Sequence, residues 1–306
     1  MTAAAEGSPP LAADIIRRRP PFLQSETFQG LALISPTLLY ALILLLLPIL
    51  VVFAHSFWTQ NYLTIDHTFT LQNYRTALTE PIYLDLLWRS LFVSLLVSLF
   101  TVVLAYPIAY FISFHGGRHK SLWLFLITIP FWTSYLLRVM SWKVILGYNG
   151  VLNSGLMGLG LISEPSTALL YNTSAVIITL THAWAAFAIL PIYVSLEKVD
   201  RTLIEAAKDL GDGPLRSFLR VTLPLSAPGV ISALLIVMIP TVGDYVTPKL
   251  VGGKDGVMIA NAIQAQFGKA ANWPLGAALS VTTMVVVSLM AGATVFLLRA
   301  AMRLSR

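Results

Sequence analysis

The chain has 306 residues, 57% of them hydrophobic and only 11% charged. A soluble domain carries about 25% charged residues, so lipid is the main solvent, and the net charge of +6 does not gather into the single basic patch that nucleic acid requires. With no cysteine there is no disulfide, thiolate metal site or cysteine nucleophile.

Residues 1–29 are polar and proline-bearing, with Arg17, Arg18 and Arg19 ahead of Pro20 and Pro21. They read as a cytoplasmic N-terminal segment before a transmembrane domain at 30–306. A cleavable signal peptide has a shorter apolar region and a small-residue cleavage site, so the first apolar run is expected to be retained. At 1.5 Å per residue, crossing the hydrocarbon core takes about 20 helical residues. Six such runs lie near 30–54, 90–114, 121–146, 168–194, 225–248 and 275–298. The third carries Arg138 and Lys143 in its second half, and the fifth is interrupted by Pro240, Gly243 and Asp244. Pro36, Pro48, Pro107, Pro130 and Pro191 lie in or near spans, where a missing backbone donor kinks a helix without ending it.

Charge placement orients the chain. With the N-terminus inside, the inner segments hold Arg17, Arg18, Arg19, Arg118, Lys120, Lys198, Arg201, Lys208, Arg216, Arg220, Arg299, Arg303 and Arg306. Arg75, Arg89, Arg138, Lys143, Lys249, Lys254 and Lys269 fall on the outer segments and span edges. Lysine and arginine favour cytoplasmic loops, so both termini, 115–120 and 197–224 are expected inside, and 60–85, 147–165 and 250–272 outside.

The segment 197–224 is polar and helix-forming. Val199, Leu203, Ala206, Ala207 and Leu210 recur at helical spacing, which predicts an amphipathic helix over about 200–210. Gly211 can take the left-handed conformation that ends it, Asp212-Gly213-Pro214 makes a turn, and Pro214 suits the first position of a second short helix carrying Leu215, Phe218 and Leu219. The exposed apolar and acidic face of this hairpin suits a groove on another protein. Thr202-x-x-Glu205 also fits a capping box, in which Glu205 would only close a helix start. Both roles stand open at this level.

Glu205-Ala206-Ala207, three residues, Gly211, nine residues and Val221-Thr222-Leu223-Pro224 resemble the EAA loop of ABC importer permeases, with Val221 in place of the usual isoleucine. Residues 130–153 (PFWTSYLLRVMSWKVILGYNGVLN) and 242–253 (VGDYVTPKLVGG) are similar to the spermidine/putrescine importer permeases, specifically the first of their two permease subunits. The resemblance covers about the last two-thirds of the chain. It implies an all-α membrane protein with six transmembrane helices and the type I ABC importer permease fold, located in the bacterial inner membrane. It implies as partners a second permease, two copies of a cytoplasmic ATPase that carries ATP and Mg, and a periplasmic substrate-binding protein. In that family the EAA loop is the coupling helix, so Glu205 and Gly211 carry over as coupling residues, with Ala206, Ala207 and Leu210 beside them. A single six-span subunit holds half a pathway. The family uses a heterodimer, and one chain leaves a homodimer open.

The residues offer no enzyme chemistry of their own. Gly253-Lys254-Asp255 lacks the hydroxyl residue and glycine spacing of a P-loop, and no H-E-x-x-H spacing occurs. The five histidines are scattered, and no Ser/His/Asp or paired-carboxylate set shares one depth. ATP hydrolysis is therefore expected on a partner chain. An ion-gradient-driven secondary transporter is the alternative of another class; such folds often show related halves, none of which is visible here, and nothing in that class needs an EAA loop. A polyamine presents ammonium groups on an apolar chain, so its path should offer carboxylates or aromatic faces. Asp244, Tyr245, Trp184, Trp132 and Tyr135 are the candidates. The alternatives are helix packing or an interfacial belt for the aromatics, and an interhelical hydrogen bond or a helix cap for Asp244. His182 is expected to hydrogen-bond between helices, and Arg138 either lines a cavity or snorkels. An arginine in the pathway would favour an anionic substrate, so an organic anion, an amino-acid derivative or an iron complex remains the alternative cargo.

Overall fold

The computed structural model describes residues 26–62 and 64–304. The segment 1–25, with Arg17, Arg18 and Arg19, and the terminal Arg306 lie outside the described residues. The chain divides into two compact units, one up to Val51 and one from Val52 onward. Helix α1 (Glu26–His55) fills the described part of the first unit and runs into the second. It holds Pro36 and Pro48 without breaking, and its described side chains up to Leu50 are exposed.

The second unit opens with a small antiparallel hairpin, β1 (Thr59–Asn61) and β2 (Thr64–Asp66), with Thr59 opposite Asp66 and Gln60 opposite Ile65. Strands were not expected in an all-helical chain. The β-branched Thr59, Thr64 and Ile65 favour an extended backbone, Tyr62 supplies a positive φ of 57° at the tip, and Phe57 stacks on Phe69 at 5.1 Å beside the strands. Helices follow as α2 (Gln72–Thr79), α3 (Pro81–His115), α4 (Lys120–Thr128), α5 (Tyr135–Ile145), α6 (Val151–Gly158), α7 (Thr173–Ala183), α8 (Ala185–Glu197), α9 (Arg201–Asp209), α10 (Pro214–Ser217), α11 (Leu223–Val242), α12 (Ile259–Phe267) and α13 (Trp273–Leu304).

Four of these stretches are long and apolar enough to cross a bilayer unbroken: α1, α3, α10–α11 and α13. The other two expected spans are bent. Residues 117–132 meet α5 at 87°, and α7 meets α8 at 48°. Counting each bent pair as one span gives six. The first bend has a local cause. Pro130 removes a backbone donor, and Thr133 and Ser134 are extended. The second does not: Pro191 lies seven residues past the bend at Trp184 and stays inside α8. Near the fifth expected span the helix starts earlier than the apolar run, through a wide turn at Phe218–Thr222, and stops at Val242 rather than reaching 248.

The main core of the second unit is built by α3, α7, α8 and α11. Val93, Val97, Ala105 and Ala109 of α3 meet Ala188, Ile189 and Ile192 of α8 and Ala233, Leu234 and Val237 of α11. Lipid tails are as apolar as leucine, so such helices associate by close packing and therefore favour small residues at their contacts. Gly229 is the tightest case: a Cβ there would stand 2.4 Å from the Ser195 Cβ and 2.5 Å from the Pro191 carbonyl oxygen. Gly229→Ala is accordingly expected to cost about 1–3 kcal/mol by overpacking, read as a lower midpoint in the thermal unfolding of the detergent-solubilised protein. An unchanged midpoint would mean that α8 and α11 separate without cost. A second cluster joins α2, the start of α3, α12 and α13 through Ala77, Leu87, Leu91, Ile259, Leu275 and Leu279. Ser90 fixes α12 to it, donating to the Leu86 carbonyl at 2.7 Å and accepting from the Ile259 N–H at 2.8 Å.

Candidate functional site

Two places on the chain carry features beyond packing. The first is the hairpin α9–α10. Asp200 caps α9, its carboxylate accepting the Thr202 N–H at 3.0 Å, and the bonds from Thr202 hold that carboxyl below its usual range. Thr202 is therefore inside the helix, and Glu205 does not close a capping box. This corrects one of the two roles left open for Glu205. At the other end Gly211 has φ +90°. Its N–H donates to the Lys208 carbonyl at 2.9 Å, and the Asp212 N–H reaches back to the Ala207 carbonyl at 3.0 Å. That pair of bonds is a Schellman cap, for which a left-handed glycine is the favoured residue. Asp212 then faces Arg216 at 3.8 Å and Arg220 at 3.6 Å across the turn.

The cap fixes which face looks outward. Ala207 is buried, while Glu205, Ala206, Leu203 and Leu210 are exposed, Leu210 by 88%. Leu215 and Leu219 extend the apolar strip beyond the turn. Among the described residues Glu205 makes no side-chain hydrogen bond or ion pair. The carboxylate of Glu205 thus stands among exposed leucines on a capped, short helix, pointing away from the chain's own core. Lys120 and Glu197, 2.5 Å apart, tie the start of α4 to the end of α8 beside the hairpin.

The second place is where the helices break. Asp244 lies just past the end of α11 and is only 9% exposed. One carboxylate oxygen accepts the Val246 N–H at 2.9 Å and the Thr247 N–H at 3.4 Å; the other accepts the Tyr135 hydroxyl at 2.6 Å. The Tyr135 oxygen also lies 2.6 Å from the Thr247 hydroxyl. Tyr135 comes from the first turn of α5 and stacks on Trp184, the residue at the α7–α8 bend, with ring centroids 6.0 Å apart. Three interrupted helices thus meet at one polar cluster, where irregular backbone inside a membrane is tolerated because side chains satisfy it.

Arg138, one turn along α5, donates to the Ala183 carbonyl at 3.2 Å and lies 4.5 Å over the Phe131 ring. Ala183 is the last residue of α7, so the guanidinium caps a carbonyl freed by the bend and meets the negative end of the helix dipole. It neither snorkels nor stands free. The Trp142 indole N–H donates to His182 Nδ1 at 3.0 Å, the interhelical bond expected of that histidine. Of the five pathway candidates, Asp244, Tyr135 and Trp184 come together. Tyr245 faces away, into a groove of about 420 Å³ with Val242, Gln264, Ser280 and Thr283. Trp132 is 74% exposed and packs edge-on against Phe125. Thr247 and the capping role of Arg138 carry no sequence signal, since each depends on a partner far along the chain.

Comparison with known proteins adds a frame to this geometry. A family model described as "Binding-protein-dependent transport system inner membrane component" matches residues 36–304. The spermidine/putrescine transport system permease protein PotB of Escherichia coli (strain K12) is 39% identical over 245 residues, covering 80% of this chain and 88% of that protein. The protein of the same name from Haemophilus influenzae is 38% identical over 249 residues, covering 80% and 85%. Among solved structures, a chain of a bacterial ABC transporter involved in the import of the acidic polysaccharide alginate superposes with a TM-score of 0.66 at 16% identity, over 89% of this chain and 96% of that one. A chain of the MetNI methionine ABC transporter, in inward-facing conformations, gives 0.52 at 19% identity, over 75% and 100%. At those identities the two structures speak for the fold alone, and that fold is the ABC importer permease fold.

Proposed function

The chain belongs to the binding-protein-dependent transport system inner membrane component family, and from that premise we propose that it is the permease subunit of an ATP-driven polyamine importer. It is a multi-pass inner-membrane protein of a transport system that works with a binding protein. The observation that carries the polyamine assignment is the 39% identity to a spermidine/putrescine permease over 80% of the chain. The broken-helix cluster supports it. Asp244 is a carboxylate at the junction of three interrupted helices, and Arg138, the cation that would favour an anionic cargo, donates through Nη1 to the Ala183 carbonyl and lies over the Phe131 ring.

In this mechanism a periplasmic binding protein delivers the polyamine to the outer face of a permease pair, this chain and a second permease. Two cytoplasmic ATPase subunits hold ATP and Mg and seat the α9–α10 hairpin. Their closure moves the hairpin, and the hairpin moves the helices to which α9 and α11 are joined. The chain itself contributes the path and the lever, and hydrolysis belongs to its partners. The decisive experiment is uptake of labelled spermidine and putrescine by cells carrying the whole transporter, in competition with unlabelled polyamines, amino-acid derivatives and organic anions. Competition by polyamines alone is expected. Competition by an anion in their place would move the assignment to another solute.

The lever has to face the cytoplasm. Because the chain has no cysteine, single reporters can be placed at will. Leu210→Cys is expected to react with a membrane-impermeant thiol reagent only after permeabilisation. Tyr62→Cys, at a hairpin tip where the side chain is 92% exposed, is expected to react in cells whose inner membrane is intact. The opposite pattern would reverse the orientation drawn from the lysine and arginine placement.

A further inference from the structure

We infer that Arg201 is a positioning residue that fastens the hairpin to α3, so that hairpin movement enters the helix core by two routes instead of one. The inference rests on the coupling role of the hairpin. The first route is covalent: α9 packs on α10 and on the wide turn that leads without interruption into α11. In the other direction α9 joins α8 through residues 198–200, so a push along the chain alone would arrive at α8 and α11 but not at α3.

Arg201 opens the second route. It is the first residue of α9, and its Nη2 donates to the Ser113 carbonyl at 3.2 Å. Ser113 is buried in the last turn of α3, where carbonyls have no partner within the helix. A guanidinium there satisfies one of them and also meets the negative end of the α3 dipole. The same guanidinium lies 5.5 Å over the Phe114 ring. Phe114 packs on Tyr110 at 4.6 Å, and Tyr110 and Tyr106 meet Phe218 of the wide turn edge-on at 6.2 and 5.5 Å. The Tyr106 hydroxyl then pairs with Ser226 of α11 at 2.8 Å. The contacts therefore close a ring: Arg201, the end of α3, the turn, and the start of α11. A displacement of α9 toward α11 therefore also loads α3, and α3, α8 and α11 all pack on one another in the core.

The residue type matters. Arginine presents a flat fork that can stack on a ring and donate in its plane at the same time, whereas a lysine ammonium is a compact, strongly hydrated point charge. Alanine removes both contacts, and lysine keeps the charge while losing the stacked geometry.

The test uses the whole transporter, reconstituted in vesicles with its ATPase and binding protein. Three quantities are measured for wild type, Arg201→Ala and Arg201→Lys: ATPase copurified per permease, ATP hydrolysed, and substrate moved per ATP. Copurification is expected to stay at the wild-type level. Substrate moved per ATP is expected to fall about tenfold in Arg201→Ala, the scale of a lost charge-assisted bond, with Arg201→Lys between the two. A wild-type ratio in Arg201→Ala overturns the inference. So does a loss of uptake that merely follows a loss of assembled complex, because that is structural damage with coupling intact. Glu205→Ala serves as the reference. If it too keeps its ATPase and its transport, the coupling role of the hairpin fails. If it loses them while Arg201→Ala keeps the wild-type ratio, only the second route fails.

Discussion

Glu205→Ala and Gly211→Asp are expected to leave the protein in the membrane and to release its ATPase, with uptake falling by more than about tenfold, as truncating a charge at an interface costs roughly 2–5 kcal/mol. The two substitutions reach that result differently. Glu205 is exposed and makes no side-chain bond among the described residues, and alanine is the better helix former. The fold therefore loses nothing in Glu205→Ala, and the whole effect falls on whatever the carboxylate meets outside the chain. Gly211 has φ +90° with open space where a Cβ would go. An aspartate there meets no neighbour but takes on about 1–2 kcal/mol of left-handed strain. That strain is relieved by letting go of the Lys208 and Ala207 bonds, so the end of α9 frays and Leu210 leaves its place on the exposed face. Copurification of the ATPase with each variant, alongside uptake, measures both. Wild-type values for copurification and uptake together would remove the coupling role from the hairpin.

Asp244→Asn is expected to lower polyamine uptake by about tenfold or more at limiting substrate, a charged partner being worth about 1.5–3 kcal/mol, with assembly and the amount of protein in the membrane unchanged. The geometry makes asparagine a clean replacement. Its carbonyl oxygen can take the place of the oxygen that accepts from Val246 and Thr247. Its amide can donate to the Tyr135 oxygen, which in turn can donate to Thr247. The cap and the cross-helix link survive in altered polarity, and only the charge disappears. Asp244→Ala is the contrasting variant. It leaves the Val246 and Thr247 backbone donors without their acceptor at a buried site, while the Tyr135 hydroxyl can still donate to Thr247, and is expected to cost about 1–3 kcal/mol for each group that stays unsatisfied, seen as less protein in the membrane. If Asp244→Asn imports polyamine like the wild type at low concentration, the carboxylate is a helix cap and nothing more. The buried, fully bonded state of Asp244 makes this a sharp test, since that bonding explains its presence even without a substrate.

Much of this is legible in the sequence alone, for a physical reason. Burial in lipid acts residue by residue, so apolar runs mark spans directly, and the ends of α1, α3 and α13 fall near or beyond the runs at 30–54, 90–114 and 275–298. The hairpin was equally legible. Capping is decided within six residues, and a glycine followed by Asp-Gly-Pro specifies a Schellman cap, a turn and a new helix start from local backbone preference alone. Asp200 as the true cap of α9 was also within local reach, and the Thr202-x-x-Glu205 spacing hid it. What local preference does not hold is where a span breaks and what heals it. Nothing near Trp184 announces a 48° bend; the freed Ala183 carbonyl is met by Arg138, 45 residues away. Asp244 finds Tyr135 at a separation of 109 residues, and Arg201 finds Ser113 at 88. A bend in an apolar helix opens backbone bonds that otherwise close within each turn, and in lipid it persists only where another group meets what it frees. The choice is made by the few buried polar groups that must find partners, and those partners are set by the packing of α3, α5, α7 and α11 against one another, which no stretch of sequence contains by itself.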